Sequence, residues 1–134
     1  MAYLLLWSSI ERYLSLRHRL DAKVTAKINH LAEDRAFAES LQQHVKGKNN
    51  KRTIHRADRP QDKYVLDRTE PKKSAEYYYQ VRSNVTHRGK SGASDRDYEI
   101  LEWSLRELLA IFRDMLKVAQ EDAKRMAAAA LQRS

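Results

Sequence analysis

Three glycines and two prolines are spread over 134 residues, so this chain has few places to turn sharply. A multi-stranded sandwich needs many tight turns, whereas long helices need few. The expected fold class is therefore all-α: a small helical bundle of four to five helices with a long basic loop. With 42% hydrophobic and 33% charged residues, the composition is that of a folded soluble chain. Its length suffices for one domain with a modest core, and a single helical domain over 1–134 is expected.

Apolar spacing locates the helices. Residues 2–18 read as a helix whose apolar side holds Leu4, Leu5, Ile10, Leu14 and Leu16, widened by Tyr3, Trp7 and Tyr13. So apolar a helix lies at the centre of a bundle or turns one flank to a partner. Because it opens almost at residue 1, it also fits a segment of a longer chain. Over 20–46, Val24, Ile28, Leu31, Phe37, Leu41 and Val45 keep helical spacing on either side of a polar break, where Asp34 can cap a second segment. Residues 47–70 lack a stable period and contain Gly47 and Pro60. They are expected to form a basic connecting loop, with a short extended piece at Tyr64 to Leu66. The next helix is expected over 71–88, capped by Thr69, with Pro71 in its first turn and Gly89 ending it. Ser94 and Asp97 resemble a capping box, and a long apolar face follows from Tyr98 to Val118. The last two helices, 71–88 and 95–120, should pack as an antiparallel hairpin.

Charge is concentrated in the middle. Residues 47–90 hold 12 Lys or Arg against 5 Asp or Glu, within a chain of net charge +8. That surface would attract a phosphate-bearing partner, although a basic solvated surface has the same composition. There is no cysteine, which excludes disulfides and thiolate metal sites. No glycine-rich phosphate loop and no His-x-x-x-His pair occur, so neither cofactor nor metal is expected. The apolar run from Tyr3 to Trp7 is too short to span a membrane, and Glu11 and Arg12 follow it. A cytoplasmic location without membrane contact is expected.

The polar end of the 71–88 helix carries the chemistry. At 100° per residue, Ser74, Tyr78, Val81 and Val85 fall on one side, the expected core face. Arg82 and Asn84 border that face, and His87 points nearly away from it. Arg82 and His87 are roughly 140° apart by that geometry, so they converge more readily across a twofold axis than within one helix.

Arg82, four intervening residues and His87, followed by Arg88 and Gly89, resemble the signature of the HEPN superfamily (higher eukaryotes and prokaryotes nucleotide-binding). The likeness covers Lys72 to about Val118. Ser83 stands where that family most often has Asn, Asp or His, and the asparagine comes one position later as Asn84. The resemblance implies a helical bundle that dimerises through the motif. Many members are metal-independent RNA-cleaving enzymes, including toxins and antiviral effectors, so an antitoxin or other protein partner is also implied. Others are inactive modules that bind RNA, a nucleotide or a protein.

On that likeness the candidate catalytic residues are Arg82, His87, Asn84 and Ser83. His87 would act as general base or acid on a ribose 2′-hydroxyl, and Arg82 would hold the scissile phosphate. Either Asn84 or Ser83 would orient the histidine or a phosphate oxygen. Arg88, Lys90, Arg52, Arg56 and Arg59 would attract the RNA backbone. Each has an ordinary structural alternative. A histidine near a helix C-terminus favours the helix dipole, and an arginine such as Arg82 can form an interhelical salt bridge. Asn84 can be a structural hydrogen-bonder.

Overall fold

The computed structural model describes residues 2–18, 23–47, 51–91 and 94–133, without the side chains of residues 18 and 88–91. Five helices and one hairpin follow one another: α1 (Ala2–His18), α2 (Val24–Glu33), α3 (Arg35–His44), β1 (Thr53–Arg56), β2 (Arg59–Val65), α4 (Pro71–Ser91) and α5 (Asp95–Arg133). The domain is a small helical bundle with a two-stranded antiparallel sheet against it.

Local chemistry sets most of the boundaries. Asp34 is extended (φ −73°, ψ 117°), and its carboxylate accepts from the Ala36 and Phe37 amides at 2.9 and 3.3 Å. It thereby ends α2 and caps α3, as its position in the sequence leads one to expect. Gly47, at φ 76°, lets the chain leave α3 through a left-handed residue. The Ser94–Asp97 box forms in both directions. Asp97 accepts the Ser94 amide at 2.9 Å, and Ser94 Oγ accepts the Asp97 amide at 3.2 Å.

Two expected boundaries of α4 are corrected. Thr69 does not cap it, because its amide and hydroxyl both donate to Asp67 in a local turn. The first helical bond runs instead from the Ser74 amide to the Glu70 carbonyl, which leaves Pro71 in the first turn. Gly89 does not stop the helix, which continues to Ser91. One glycine costs a helix only about 1 kcal/mol, too little to break it without a competing turn.

The core is built from one face of each helix. Tyr3, Trp7, Ile10 and Leu14 of α1, spaced by four, three and four residues, are buried with Leu6. Leu5 and Leu16 lie off that face and are 69% and 70% exposed, so the first helix is two-sided in its apolar content. Ile28, Leu31, Phe37, Leu41 and Val45 join the core from α2 and α3, and Leu108, Ile111, Phe112 and Met115 from α5. Helix α4 contributes Ser74, Ala75, Tyr77, Tyr78 and Val81. Tyr77 and Tyr78 reach Ser104 and Glu107 of α5, which puts the two helices in contact. At 39 residues, α5 is about 58 Å long and outlasts its neighbours. Beyond Asp122, which meets Arg17 of α1, its side chains are nearly all exposed.

The segment expected to be a basic loop forms the hairpin instead. Ile54 pairs with Tyr64 and His55 with Lys63, and then the register shifts so that Arg56 pairs with Arg59 across the turn at Ala57 and Asp58. The irregularity accommodates Pro60, which has no amide to donate to a ladder. Ile54 and Leu66 are buried at 4% and 0% exposure and anchor the hairpin to the bundle.

Candidate functional site

The C-terminal half of α4 is a helix surface gripped by the hairpin. Asn84 supplies the grip. Its Oδ1 accepts the Ala57 amide at 2.9 Å and Gln80 Nε2 at 2.8 Å, while its Nδ2 donates to the His55 carbonyl at 2.8 Å. A backbone donor on one side and a backbone acceptor on the other fix which way the amide points. Asn84, expected to take part in catalysis, is thus occupied in holding β1 to α4. Of the two candidates for the polar task, half-buried Ser83 is the one whose side chain is left over.

His87 lies one turn beyond Asn84 and is exposed. Arg82 is half-buried, and its guanidinium has no hydrogen bond or ion pair among the described residues. Within one chain the helix keeps these two side chains on different faces, as their spacing requires. Arg88 and Lys90, expected to draw in a nucleic-acid backbone, have side chains outside the described residues.

The three arginines expected to bind RNA separate into two environments. Arg52 is not on the surface. Its side chain is 2% exposed and makes a two-pronged pair with Glu107 of α5, one prong at 2.7 Å. Its Nε donates to the Tyr77 hydroxyl at 3.1 Å, and its guanidinium lies over the Tyr77 and Trp103 rings at 5.4 and 5.7 Å. Burial works against the charged form, but the hydrogen bonds and charge of Glu107 outweigh it and raise the Arg52 pKa. Tyr78 donates to the same carboxylate at 2.9 Å, Tyr77 contacts Ser104 at 3.0 Å, and Tyr3 of α1 donates to the Tyr78 carbonyl at 2.7 Å. This network fastens α1, α4, α5 and the approach to β1 together. It serves architecture and leaves no cation for a ligand.

Arg56 and Arg59 remain at the surface. Arg56 bonds both Asp58 oxygens, at 2.7 and 3.3 Å, and reaches Asp62 at 4.0 Å. Arg59 lies 3.9 Å from Asp62 and is largely exposed. Lys51, Lys63 and Lys72 are also exposed. His55 donates from Nδ1 to the Pro60 carbonyl at 2.8 Å, a bond within the hairpin.

A second polar cluster has no forerunner in the sequence reading. Ser40 of α3 donates to Asp114 Oδ2 of α5 at 2.6 Å, and His44 Nε2 meets the same oxygen at 2.9 Å. Both bonds end on the aspartate, so the histidine does not face the serine and the three do not make a nucleophile. Ser40 and Asp114 border a cavity of about 270 Å³ between α3 and α5, lined also by Glu39, Lys117 and Glu121. No group of three or more metal-ligating side chains occurs among the described residues, and no helix among them is long and apolar enough to cross a membrane.

Comparison with protein-family models gave no match, and neither did comparison with curated proteins or with solved structures.

Proposed function

We propose that this chain is a metal-independent endoribonuclease that cleaves single-stranded RNA at a site built by two copies. One observation carries the reading. A single helix presents a half-buried arginine with no acceptor among the described residues, Arg82, and, five residues on, an exposed imidazole, His87. An arginine without a carboxylate partner is available to a phosphate through its planar fork. The likeness of Arg82 to Gly89 to the HEPN signature points the same way, and the positive middle of the chain would draw in a polyanion.

The chemistry balances with these groups alone. A neutral His87 takes the proton of a ribose 2′-hydroxyl. The 2′-oxygen attacks the adjacent phosphorus, the P–O5′ bond breaks, and the 5′-oxygen leaves with the electron pair. Water gives that oxygen a proton, His87 returns its own proton to solvent, and a 2′,3′-cyclic phosphate remains. Arg82 holds the non-bridging oxygens and stabilises the charge that builds on them. Because the nucleophile is the 2′-hydroxyl, DNA is not a substrate.

The test is incubation of purified protein with mixed-sequence single-stranded RNA and matching DNA in EDTA, followed by end-group analysis. Cleavage of RNA alone, with cyclic phosphate ends, is expected, and its loss in both Arg82→Ala and His87→Ala. Equal cleavage by wild type and His87→Ala would sink the mechanism. A second reading, a module that binds RNA, a nucleotide or a protein without cutting, draws on the use of Asn84 as a clamp, which leaves one fewer polar group for chemistry. Binding of RNA without cleavage across many substrates would select it.

A further inference from the structure

We infer that α5 carries a self-association face, on which a second copy of this chain lays its own α5 antiparallel against Tyr98, Leu105, Leu109 and Leu116. The inference does not depend on the RNA reading.

The four residues make one stripe. At 100° per residue they fall within about 40° of arc, centred about 110° from the core positions Ser104, Leu108, Ile111 and Met115. Tyr98, Leu109 and Leu116 are exposed, and Leu105 is half-buried. Helix α1 widens the stripe. It runs beside α5 in the same direction, since Tyr13 meets Phe112 edge-on at 5.8 Å and Arg17 pairs with Asp122. One turn beyond the Tyr13–Phe112 contact stand Leu16 and Leu116, both exposed. Contiguous exposed apolar surface of this kind marks an interaction site.

The spacing and the charges choose the occupant. Tyr98 and Leu105 are seven residues apart, as are Leu109 and Leu116, which is the repeat with which one helix seats along another. The stripe is symmetric about Glu107: 105 and 109 lie two residues either side, and 98 and 116 nine either side. A twofold axis there sets Leu105 against Leu109 of the second copy and Tyr98 against its Leu116. That symmetry alone suits any antiparallel helix, and the charges make it specific. The flank farther from α1 holds Glu102 and Arg113, both exposed. The same axis brings Glu102 of each copy beside Arg113 of the other, within one residue of direct opposition. Arg113 has no hydrogen bond or ion pair among the described residues, so it is available to that carboxylate. A parallel pairing would face Glu102 with Glu102 and Arg113 with Arg113, and like charges disfavour it.

This face is separate from the Arg82 and His87 motif. Glu107 accepts the Tyr78 hydroxyl of α4 and projects about 180° from the centre of the stripe, so α4 lies across α5 from it.

The chain has no cysteine, so two engineered thiols report this contact alone. Glu102→Cys and Arg113→Cys proteins are mixed and treated with a short thiol–thiol crosslinker, and the products are resolved by denaturing electrophoresis and peptide mass mapping. A dimer joined between positions 102 and 113 is expected from the mixture, with little from either variant alone. Adding Leu109→Arg to both should abolish it while the helical circular dichroism is unchanged. Crosslinking of the separate variants as strong as that of the mixture would overturn the proposal, and so would its absence in every arm. Flotation with phosphatidylcholine–phosphatidylserine vesicles, lost on Leu109→Arg in a protein that does not crosslink, would assign the stripe to a lipid surface instead.

Discussion

Arg52 and Glu107 meet as a two-pronged ion pair inside the bundle, 55 residues apart in sequence, with the arginine side chain 2% exposed. The most concealed charge of the basic middle region thus belongs to the framework. Removing one partner of a buried pair strands the other charge and typically costs about 3–5 kcal/mol. Glu107→Ala and Arg52→Ala should each lose stability on that scale in urea unfolding. Where the Arg52 variant remains folded, its affinity for RNA should be unchanged. Reduced RNA binding by a folded Arg52→Ala protein would return that residue to the surface.

The Asn84 clamp can be broken at one atom. Asn84→Asp keeps the acceptor for the Ala57 amide but loses the donor to the His55 carbonyl. Asn84→Ala loses both, along with the bond from Gln80. At about 0.5–1.5 kcal/mol net for a typical hydrogen bond, the alanine variant should be the less stable. Hydrogen exchange should quicken in residues 53–65 while the α5 core stays protected. Uniform quickening across the bundle would show that the hairpin and the core open together.

Acid should loosen the contact between α3 and α5. Asp114 is held below the ordinary carboxylate range, first by the Ser40 hydrogen bond and then by His44. A depressed folded-state pKa means stability that is present above about pH 4, the unfolded value, and is lost as the pH falls through the lower folded value. Asp114→Asn should therefore flatten the decline of stability below about pH 4. Ser40→Ala should act in the same direction by removing the largest cause. An unchanged acid limb in both variants would show that Asp114 does not contribute to it.

Much of the helical framework was legible in the sequence, because its signals are local. Asp34 caps the residues just after it, Ser94 and Asp97 close a box within four residues, and the spacing of Ile28, Leu31, Phe37 and Leu41 displays the core face directly. The hairpin was hidden because its strands carry little alternation. In residues 59–65 only Asp62 and Tyr64 are half-buried and the other five are exposed, and Ile54 is the buried residue of β1. Arg52 was indistinguishable from its basic neighbours, since its partners Glu107 and Tyr77 lie far along the chain.

The central claim is that Arg82 of one copy and His87 of another complete one site. It is tested most directly by mixing two inactive variants, Arg82→Ala and His87→Ala, under conditions that exchange subunits, and measuring RNA cleavage in EDTA. If each site draws one residue from each copy across a twofold axis, half the dimers are mixed and each regains one intact site. Activity should then return to about one quarter of wild type. Continued silence of the mixture, with exchange verified and the wild type active, would contradict the shared site.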